Sequence, residues 1–260
     1  MIKELESVAS TNTWAKENAA QLLHGDVVVT HHQTSGRGQR GCHWESEPGK
    51  NLTFSLYLQP TEVAPDHQFM ISEIVALAVA GTVERALAEA VDSNRVAVKW
   101  PNDIYVDDRK IAGILIEHTL QGNTISHTIA GVGLNVNQTE FVSDAPNPVS
   151  LAQLARHEYP LAGLLMEICN EVTTRLAAPD PTAIHTEFKH KLWRNDGKPH
   201  PFTLPDGTRF RASISTVAPD GLLTLRHADT HTDSSVPLPS DSPILRSYYF
   251  KEVAFVLNED

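Results

Sequence analysis

The stretch from Val96 to Asn137 constrains the fold more than any other part of this 260-residue chain. It holds four segments rich in aliphatic and β-branched residues, Val96–Lys99 and residues 104–106, 111–118 and 124–137, each of which reads as a strand. Asp107-Asp108 and Gln121-Gly122-Asn123 leave room only for tight turns between the second, third and fourth. Strands joined that closely run antiparallel, because a parallel return needs a crossover of a dozen or more residues. The block is therefore predicted to be the centre of a largely antiparallel sheet.

Other elements surround it. Residues 13–23 read as a short amphipathic helix with Ala15, Ala19, Leu22 and Leu23 on one side, and residues 26–30 as a strand. Leu52–Leu58 alternates Leu-Thr-Phe-Ser-Leu-Tyr-Leu, which predicts a strand with one buried face. Residues 69–91 are Ala-rich and nearly all apolar, as in a helix buried on most sides. Helical patterns also occupy residues 150–155, 161–176 and 182–193. Residues 31–51 contain Gly36, Gly38, Gly41, Gly49 and Pro48, a density that predicts a long mobile loop. After Asn195-Asp196-Gly197-Lys198-Pro199 the texture changes to short strands, with turns at Pro205-Asp206-Gly207 and Pro219-Asp220-Gly221. The expected fold class is α+β: a mixed, largely antiparallel sheet with helices packed on it over residues 1–197, then a small β-barrel over residues 198–260.

Charge and cysteine content narrow the partners. A net charge of −11 repels nucleic acid unless a strong basic patch offsets it. No run approaches the ~20 apolar residues that cross a bilayer, and Met1-Ile2-Lys3-Glu4-Leu5-Glu6 lacks the apolar core of a secretory signal. Cys42 and Cys169 give no disulfide framework, so a reducing cytoplasm is the expected compartment.

Four segments carry the chemistry. In Gln33-Thr34-Ser35-Gly36-Arg37-Gly38-Gln39-Arg40-Gly41, glycines spaced by two let the backbone approach a ligand and turn several N–H groups on one anion, while the arginines add planar donors for phosphate or carboxylate. The spacing is neither a dinucleotide fingerprint nor a P-loop. In Lys99-Trp100-Pro101-Asn102-Asp103 the chain is held extended before the proline and then breaks into a turn at the sheet rim. There Asn102 can read a purine edge and Asp103 can hold Mg²⁺, or both can simply stabilise the turn. Lys110 opens the apolar strand Arg109-Lys110-Ile111-Ala112-Gly113-Ile114-Leu115-Ile116-Glu117, either as a solvated edge charge or as a site cation. Gly131-Val132-Gly133-Leu134-Asn135-Val136-Asn137 is a strand interrupted by two glycines, a sign of a bulge or of the close approach of another group. On one sheet, these segments suit a phosphorylated ligand. The 13 histidines show no metal-ligand spacing, Cys42 has no paired base, and Trp14 and Trp193 read as core anchors.

In order along the chain, these motifs resemble the biotin–protein ligase family, in its form without an N-terminal DNA-binding domain. Ser10-Thr11-Asn12 is similar to the family's S-T-N element in the biotin pocket, GRGQRG followed by Trp44 to its G-R-G-R-x-G…W signature, and KWPND with RKIAGILIE to its central block. GVGLNVN resembles its G-x-G-I-N strand, and residues 198–260 look like its small SH3-like barrel.

The resemblance implies two half-reactions. Biotin's carboxylate attacks the α-phosphate of ATP to give biotinyl-5′-AMP and pyrophosphate; the ε-amine of one lysine on a biotin carboxyl carrier domain, of acetyl-CoA carboxylase or a related carboxylase, then displaces AMP. The first step brings a carboxylate onto a polyanion, a repulsion of ~4 kcal/mol for two charges at ~4 Å and an effective dielectric of 20, which cations must cancel. By the same resemblance Arg37 and Lys110 supply those cations, Lys110 nearest the reacting atoms. Ser10, Thr11 and Gln33 hydrogen-bond the ureido ring beside Asn12, and Gly36 and Gly113 admit the ligand. Trp44 covers the adenine, Asn102 and Asn135 read its edge, Gly38, Gln39 and Arg40 belong to the nucleotide loop, and Asp103 helps hold Mg²⁺. The loop closes to keep water from the acyl phosphate.

The chain departs from the family in placing Gln39 where a second arginine often stands, with Arg40 one position later. The adenylate is nonetheless predicted to be retained, and rapid biotinylation of an unrelated lysine-rich protein would contradict this. A lipoate or octanoate ligase shares the fold and the logic, but GRGQRG followed by KWPND favours biotin. A non-catalytic nucleotide-binding regulator would not need Arg37, Lys110 and Asp103 together. A repressor role is disfavoured because the S-T-N element near residue 10 leaves no room before it for a helix-turn-helix. A homodimer through a sheet edge is compatible with the resemblance.

Overall fold

A computed structural model of the chain describes residues 1–38, 43–92, 95–142, 146–228 and 244–257. Its main sheet has seven strands: β1 (Ile2–Val8), β2 (Val27–Gln33), β3 (Leu52–Leu58), β4 (Val96–Lys99), β5 (Asp103–Val106), β6 (Arg109–Gln121) and β7 (Thr124–Leu134). They lie in the order β1-β2-β3-β7-β6-β5-β4. β1 and β2 pair in parallel and every other neighbouring pair is antiparallel, so the sheet is mixed as expected. The predicted meander β4 to β7 stands. β1 was not predicted: it is an edge strand exposed along most of its length, and with no buried face it carries no alternating pattern for a sequence to show.

The two faces of this sheet divide the labour. Leu52, Phe54, Leu56 and Leu58 of β3, with Ala130, Val132 and Leu134 of β7, enter the large core. That core lies under α2 (Phe69–Ala86), α4 (Leu161–Ala177) and α5 (Pro181–His190). β3 is, however, buried on both faces, not one. Its other residues turn toward α1 (Thr11–Glu17), where Tyr57 packs with Ala15, Leu22, Val28 and Ile129 while Thr53 and Ser55 stay polar. This second face carries the site.

Several boundaries differ from expectation for local reasons. The predicted helix over residues 13–23 is α1 plus a short 3-10 turn, Ala19–Gln21; the break falls at Asn18, whose side-chain amide donates to the Trp14 carbonyl. α2 stops at Ala86, and Leu87 and Val91 reach the core through tight turns while Ala88, Glu89 and Ala90 stay exposed. β2 runs on to Gln33, so the glycine loop starts three residues later than residue 31 suggested. A capping box at Ser150 and Gln153 starts α3 (Leu151–Ala155).

Beyond residue 199 the chain forms a five-stranded sheet from β8 (His200–Thr203), β9 (Arg209–Val217), β10 (Leu223–His227), β11 (Leu245–Tyr248) and β12 (Ala254–Phe255), in the order β11-β10-β9-β8-β12. Its apolar residues join the large core instead of forming one of their own. Trp100 Nε1 donates to the Gly221 carbonyl at 2.9 Å, and the Phe69 ring lies so close to Gly221 that a Cβ there would strike it. The small sheet is thus seated on the turn that follows β4. Among the described residues, no helix is long and apolar enough to cross a membrane.

Candidate functional site

Glycines on the second sheet face create the space for the site. Gly113 of β6 pairs with Gly133 of β7, and Leu115 with Gly131. A Cβ at Gly131 would overlap the Asn12 side chain, and one at Gly133 would overlap the Trp44 indole. The two strand glycines thus mark the close approach of two side chains, one of the readings the sequence left open. Gly36 is likewise closed in by the Trp44 carbonyl and Gln33.

Two adjoining cavities, of about 210 Å³ and 250 Å³, open over this face. Ser10, Thr11, Asn12, Gln33, Arg37, Gly38, Gly113, Gly131 and Asn102 border the first only, and Asn135 the second only. His43, Trp44, Lys99, Asp103 and Lys110 border both and form the junction. Of the predicted site residues, Gly36 lies behind the first cavity, and Gln39 and Arg40 fall outside the described residues, as do Gly41 and Cys42.

The far end of the first cavity is lined by uncharged side chains backed by the Arg37–Glu117 pair. Ser10 caps α1 by accepting from the Thr13 N–H. Gln33 Oε1 accepts from Thr11 N at 3.0 Å, and the buried Ser55 hydroxyl lies 2.6 Å from Asn12 Oδ1. Asn12 Nδ2 donates to Glu117 Oε2 at 2.8 Å and to the Leu115 carbonyl. Glu117 also lies 3.8 Å from Arg37, whose guanidinium donates to Thr13 Oγ1 at 3.2 Å. The loop arginine is therefore tied to α1 and β6.

At the junction, Lys110 is no solvated edge charge. Main-chain bonds to Asn147 and from Val149 fix its backbone, and its Nζ meets Asp103 Oδ1 at 2.7 Å and lies 5.6 Å from the centre of the Trp44 ring. Asn102 follows the turn reading, since its amide donates to the Ile114 carbonyl and its own carbonyl accepts from Ile114 N. Asn135 donates to the Val149 carbonyl, but its Oδ1 and the Trp44 indole N–H are buried without a partner. Such orphaned groups point to a ligand that completes them.

Asp103, the expected Mg²⁺ ligand, holds Lys110, and the described His, Cys, Asp and Glu residues form no cluster of three or more able to bind a metal. The protein residues alone do not make a metal cage. Cys169 lies apart in α4, its thiol pushed up to about 12 by burial, which makes it inert. Trp193 is buried and Trp14 packs on the small apolar cluster, both as predicted.

Sequence reasoning missed Lys99, Thr53, Ser55, Glu117, Phe250 and Leu257. Lys99 and Glu117 lie inside motifs already singled out, and the available signals were a charged residue ending the apolar β4 and a carboxylate following the apolar run of β6. Phe250 and Leu257 border the cavities from the small sheet, across more than a hundred residues, so no local signal existed.

Residues 4–135 match the sequence model of the biotin/lipoate A/B protein ligase family, slightly over half of the chain. The bifunctional ligase/repressor BirA of Escherichia coli is 33% identical over 132 residues, 51% of this chain and 39% of that protein. The biotin–[acetyl-CoA-carboxylase] ligase of Mycobacterium tuberculosis is 30% identical over 204 residues, 74% of this chain and 66% of that protein. The chain spans less than half the length of the bacterial ligase/repressors it matches. Among solved structures, the biotin protein ligase of Aquifex aeolicus in complex with biotin and ATP superimposes with a TM-score of 0.74 at 20% identity, over 97% of each chain. The likeness at that identity establishes the fold, and the family match establishes the kinship: the chain belongs to the biotin/lipoate A/B protein ligase family.

Proposed function

We propose that this chain is an ATP-dependent biotin–protein ligase, with residues 1–197 as the catalytic part and 198–260 as an SH3-like barrel closing one side of the cleft. The observation that carries the reading is the pair of cavities meeting at Lys110, Asp103 and Trp44: the first has an end lined by the uncharged groups of Ser10, Thr11, Asn12 and Gln33, and the orphaned Trp44 N–H and Asn135 Oδ1 stand at the junction and in the second. A ureido ring offers two N–H donors and a carbonyl, which can exchange for the bonds that Thr11, Asn12 and Gln33 make among themselves and with their neighbours, whereas the dithiolane of lipoate or the chain of octanoate offers nothing to exchange.

In the first half-reaction, biotin's carboxylate oxygen attacks the α-phosphorus, the bond to the β-phosphate oxygen breaks and pyrophosphate leaves. Lys110 balances charge at the reacting atoms and Arg37 covers them from the loop. Trp44 and Asn135 receive the adenine. In the second, the deprotonated ε-amine of a carrier lysine attacks the acyl carbon, AMP leaves and the amine's second proton passes to solvent. The carrier is the biotin carboxyl carrier domain of acetyl-CoA carboxylase or a related carboxylase. Mg²⁺ bound with the nucleotide would offset the phosphates' negative charge, and Asp103, the carboxylate bordering both cavities, would help hold it, since such binding needs only one or two protein carboxylates.

Pyrophosphate exchange into ATP with Mg²⁺ tests the reading, with biotin, lipoate or octanoate supplied as the acid. Exchange with biotin alone supports it. Exchange with lipoate or octanoate changes the substrate, and no exchange with any acid, while ATP still binds, leaves a non-catalytic nucleotide-binding protein.

A further inference from the structure

Aromatic packing holds the Lys99 side chain, but nothing among the described residues accepts a hydrogen bond from its ammonium. It ends β4, directly across from Asp103 in the β4–β5 register. The backbone beside it is fixed, since Val98 N donates to the Lys191 carbonyl and the Val98 carbonyl accepts from Trp193 N. Its ammonium stands 5.3 Å from the centre of the Tyr105 ring and 5.6 Å from that of Phe255, so the lysine is wedged between the main sheet and β12. It borders both cavities. Among the described residues, this ammonium makes no hydrogen bond and no ion pair, although it has three donors to satisfy.

The local charge balance sharpens the point. Asp103 is already engaged by Lys110 at 2.7 Å, and Arg194 donates to the Val256 carbonyl at 2.8 Å with Asp108 at 4.0 Å. The three side chains at the junction, Lys99, Lys110 and Asp103, therefore sum to one uncompensated positive charge, and the side chain without an acceptor is Lys99. Burial holds its ammonium below the usual lysine range; Asp103 pulls it up, while Lys110 and Arg194 push it further down. A cation held this way, with aromatic faces but no acceptor, gains a great deal from a bound anion.

We infer that Lys99 is a phosphate-binding residue of this site, contacting the phosphates of the nucleotide beside the Lys110–Asp103 pair. The inference rests on the proposed use of ATP and adds a cation to it. Lys110, neutralised by Asp103, positions the reacting atoms; Lys99 supplies the net charge that draws the polyanion in.

Titrations with ATP, inorganic pyrophosphate and adenosine test it, because adenosine carries no phosphate. Lys99→Met, which keeps the stem and removes the charge, is expected to weaken ATP and pyrophosphate about 30-fold, the scale of one charge-assisted hydrogen bond, and to change adenosine by less than about twofold. Lys99→Arg is expected to restore ATP to within about fivefold of wild type. Equal losses for ATP and adenosine would reveal a merely structural lysine, and no loss at all would also overturn the inference. Wild-type protein gives a check free of any folding defect: saturating pyrophosphate should shield Lys99 from amine acylation, read by mass spectrometry, and an unshielded Lys99 in the saturated protein would overturn it too. Lys99 shielding without biotin-dependent exchange would sink the ligase reading and keep the phosphate site. Exchange with an indifferent Lys99→Met would do the reverse.

Discussion

At the end of the cleft lined by Ser10, Thr11, Asn12 and Gln33 these four side chains are uncharged and the charges behind them, Glu117 and Arg37, pair with each other, whereas at the junction Lys99, Lys110 and Asp103 leave a net positive charge. A ligand entering the neutral end must replace bonds the protein already makes, so only a group with matching donors and acceptors gains by binding. A ligand entering the charged end meets a field fixed before it arrives, which favours any anion and most of all the charge that develops in a transition state. In the proposed function the first arrangement selects and the second accelerates. They meet over a single pair of strands, β6 and β7.

The largest expected effect lies at the charged end. Lys110→Ala is expected to cut biotin-dependent pyrophosphate exchange by at least ~10²-fold, the scale of one preorganised electrostatic contact. The structure adds that the same change leaves Asp103 unpaired at the junction, which deepens the loss for ATP while biotin affinity changes only a few-fold. Near-normal exchange in this variant would remove Lys110 from the mechanism.

Gly131→Ala attacks the neutral end. Its Cβ would overlap Asn12 Oδ1, and Asn12 cannot retreat, because Ser55, Leu115 and Glu117 hold it from three sides. Overpacking of this kind costs about 1–3 kcal/mol. We expect biotin affinity to fall by ~10-fold or more at that cost, with ATP affinity nearly unchanged by calorimetry. Gly133→Ala, two residues along, would instead unseat the Trp44 indole and weaken ATP more than biotin. If the two variants give the same pattern, the two ends are not separate.

Glu117→Gln should be milder. The amide oxygen still accepts from Asn12, so that bond survives, but the 3.8 Å pairing with Arg37 loses its charge. Arg37 is half-exposed, and exposed pairs contribute about 0–1 kcal/mol. The expected outcome is unchanged thermal stability with a few-fold lower exchange rate, reflecting a less well-held loop. A large loss of stability would show that Glu117 acts as a core group and not as an anchor for the loop.

The same contrast explains what the sequence could reveal. The meander from β4 to β7 was readable because turns such as Asp107-Asp108 and strands with uninterrupted apolar runs are local signals. So were the glycines of β7, which marked either a bulge or a close approach before Asn12 and Trp44 were known to be the groups approaching. β1 was hidden because an exposed edge strand has no buried period. The two-sided burial of β3 was hidden because Thr53 and Ser55 read as solvent-facing, when they face the site. Charge pairing was illegible altogether. The Lys110–Asp103 contact depends on how β5 and β6 register around an irregularity after Ile104, and the wall formed by Phe250 and Leu257 depends on how the small sheet docks. Of the neutral end, Ser10-Thr11-Asn12 and Gln33 were marked by the resemblance while Thr53, Ser55 and Glu117 behind them were not, and the charged end was legible only as a list of ions without their partners.

Ionic strength gives the smallest effect and bears most directly on the distinction. Raising salt shortens the Debye length from ≈10 Å at 0.1 M to 3 Å at 1 M. The junction is partly buried, with Lys110 30% exposed at its side chain, so screening reaches it incompletely. ATP, a polyanion drawn to an uncompensated cation, should still bind several-fold more weakly across that range. Biotin carries one carboxylate, and in the proposed function its ureido ring seats at the neutral end, so its affinity should change by less than about twofold. Biotin methyl ester, which has no charge, should not respond at all. Parallel titrations of the three ligands in rising salt would read this directly. Equal salt responses for ATP and biotin would mean that the net charge at Lys99, Lys110 and Asp103 does not set the field in the cleft, and the division between a selecting end and an accelerating end would have to be redrawn around Arg37.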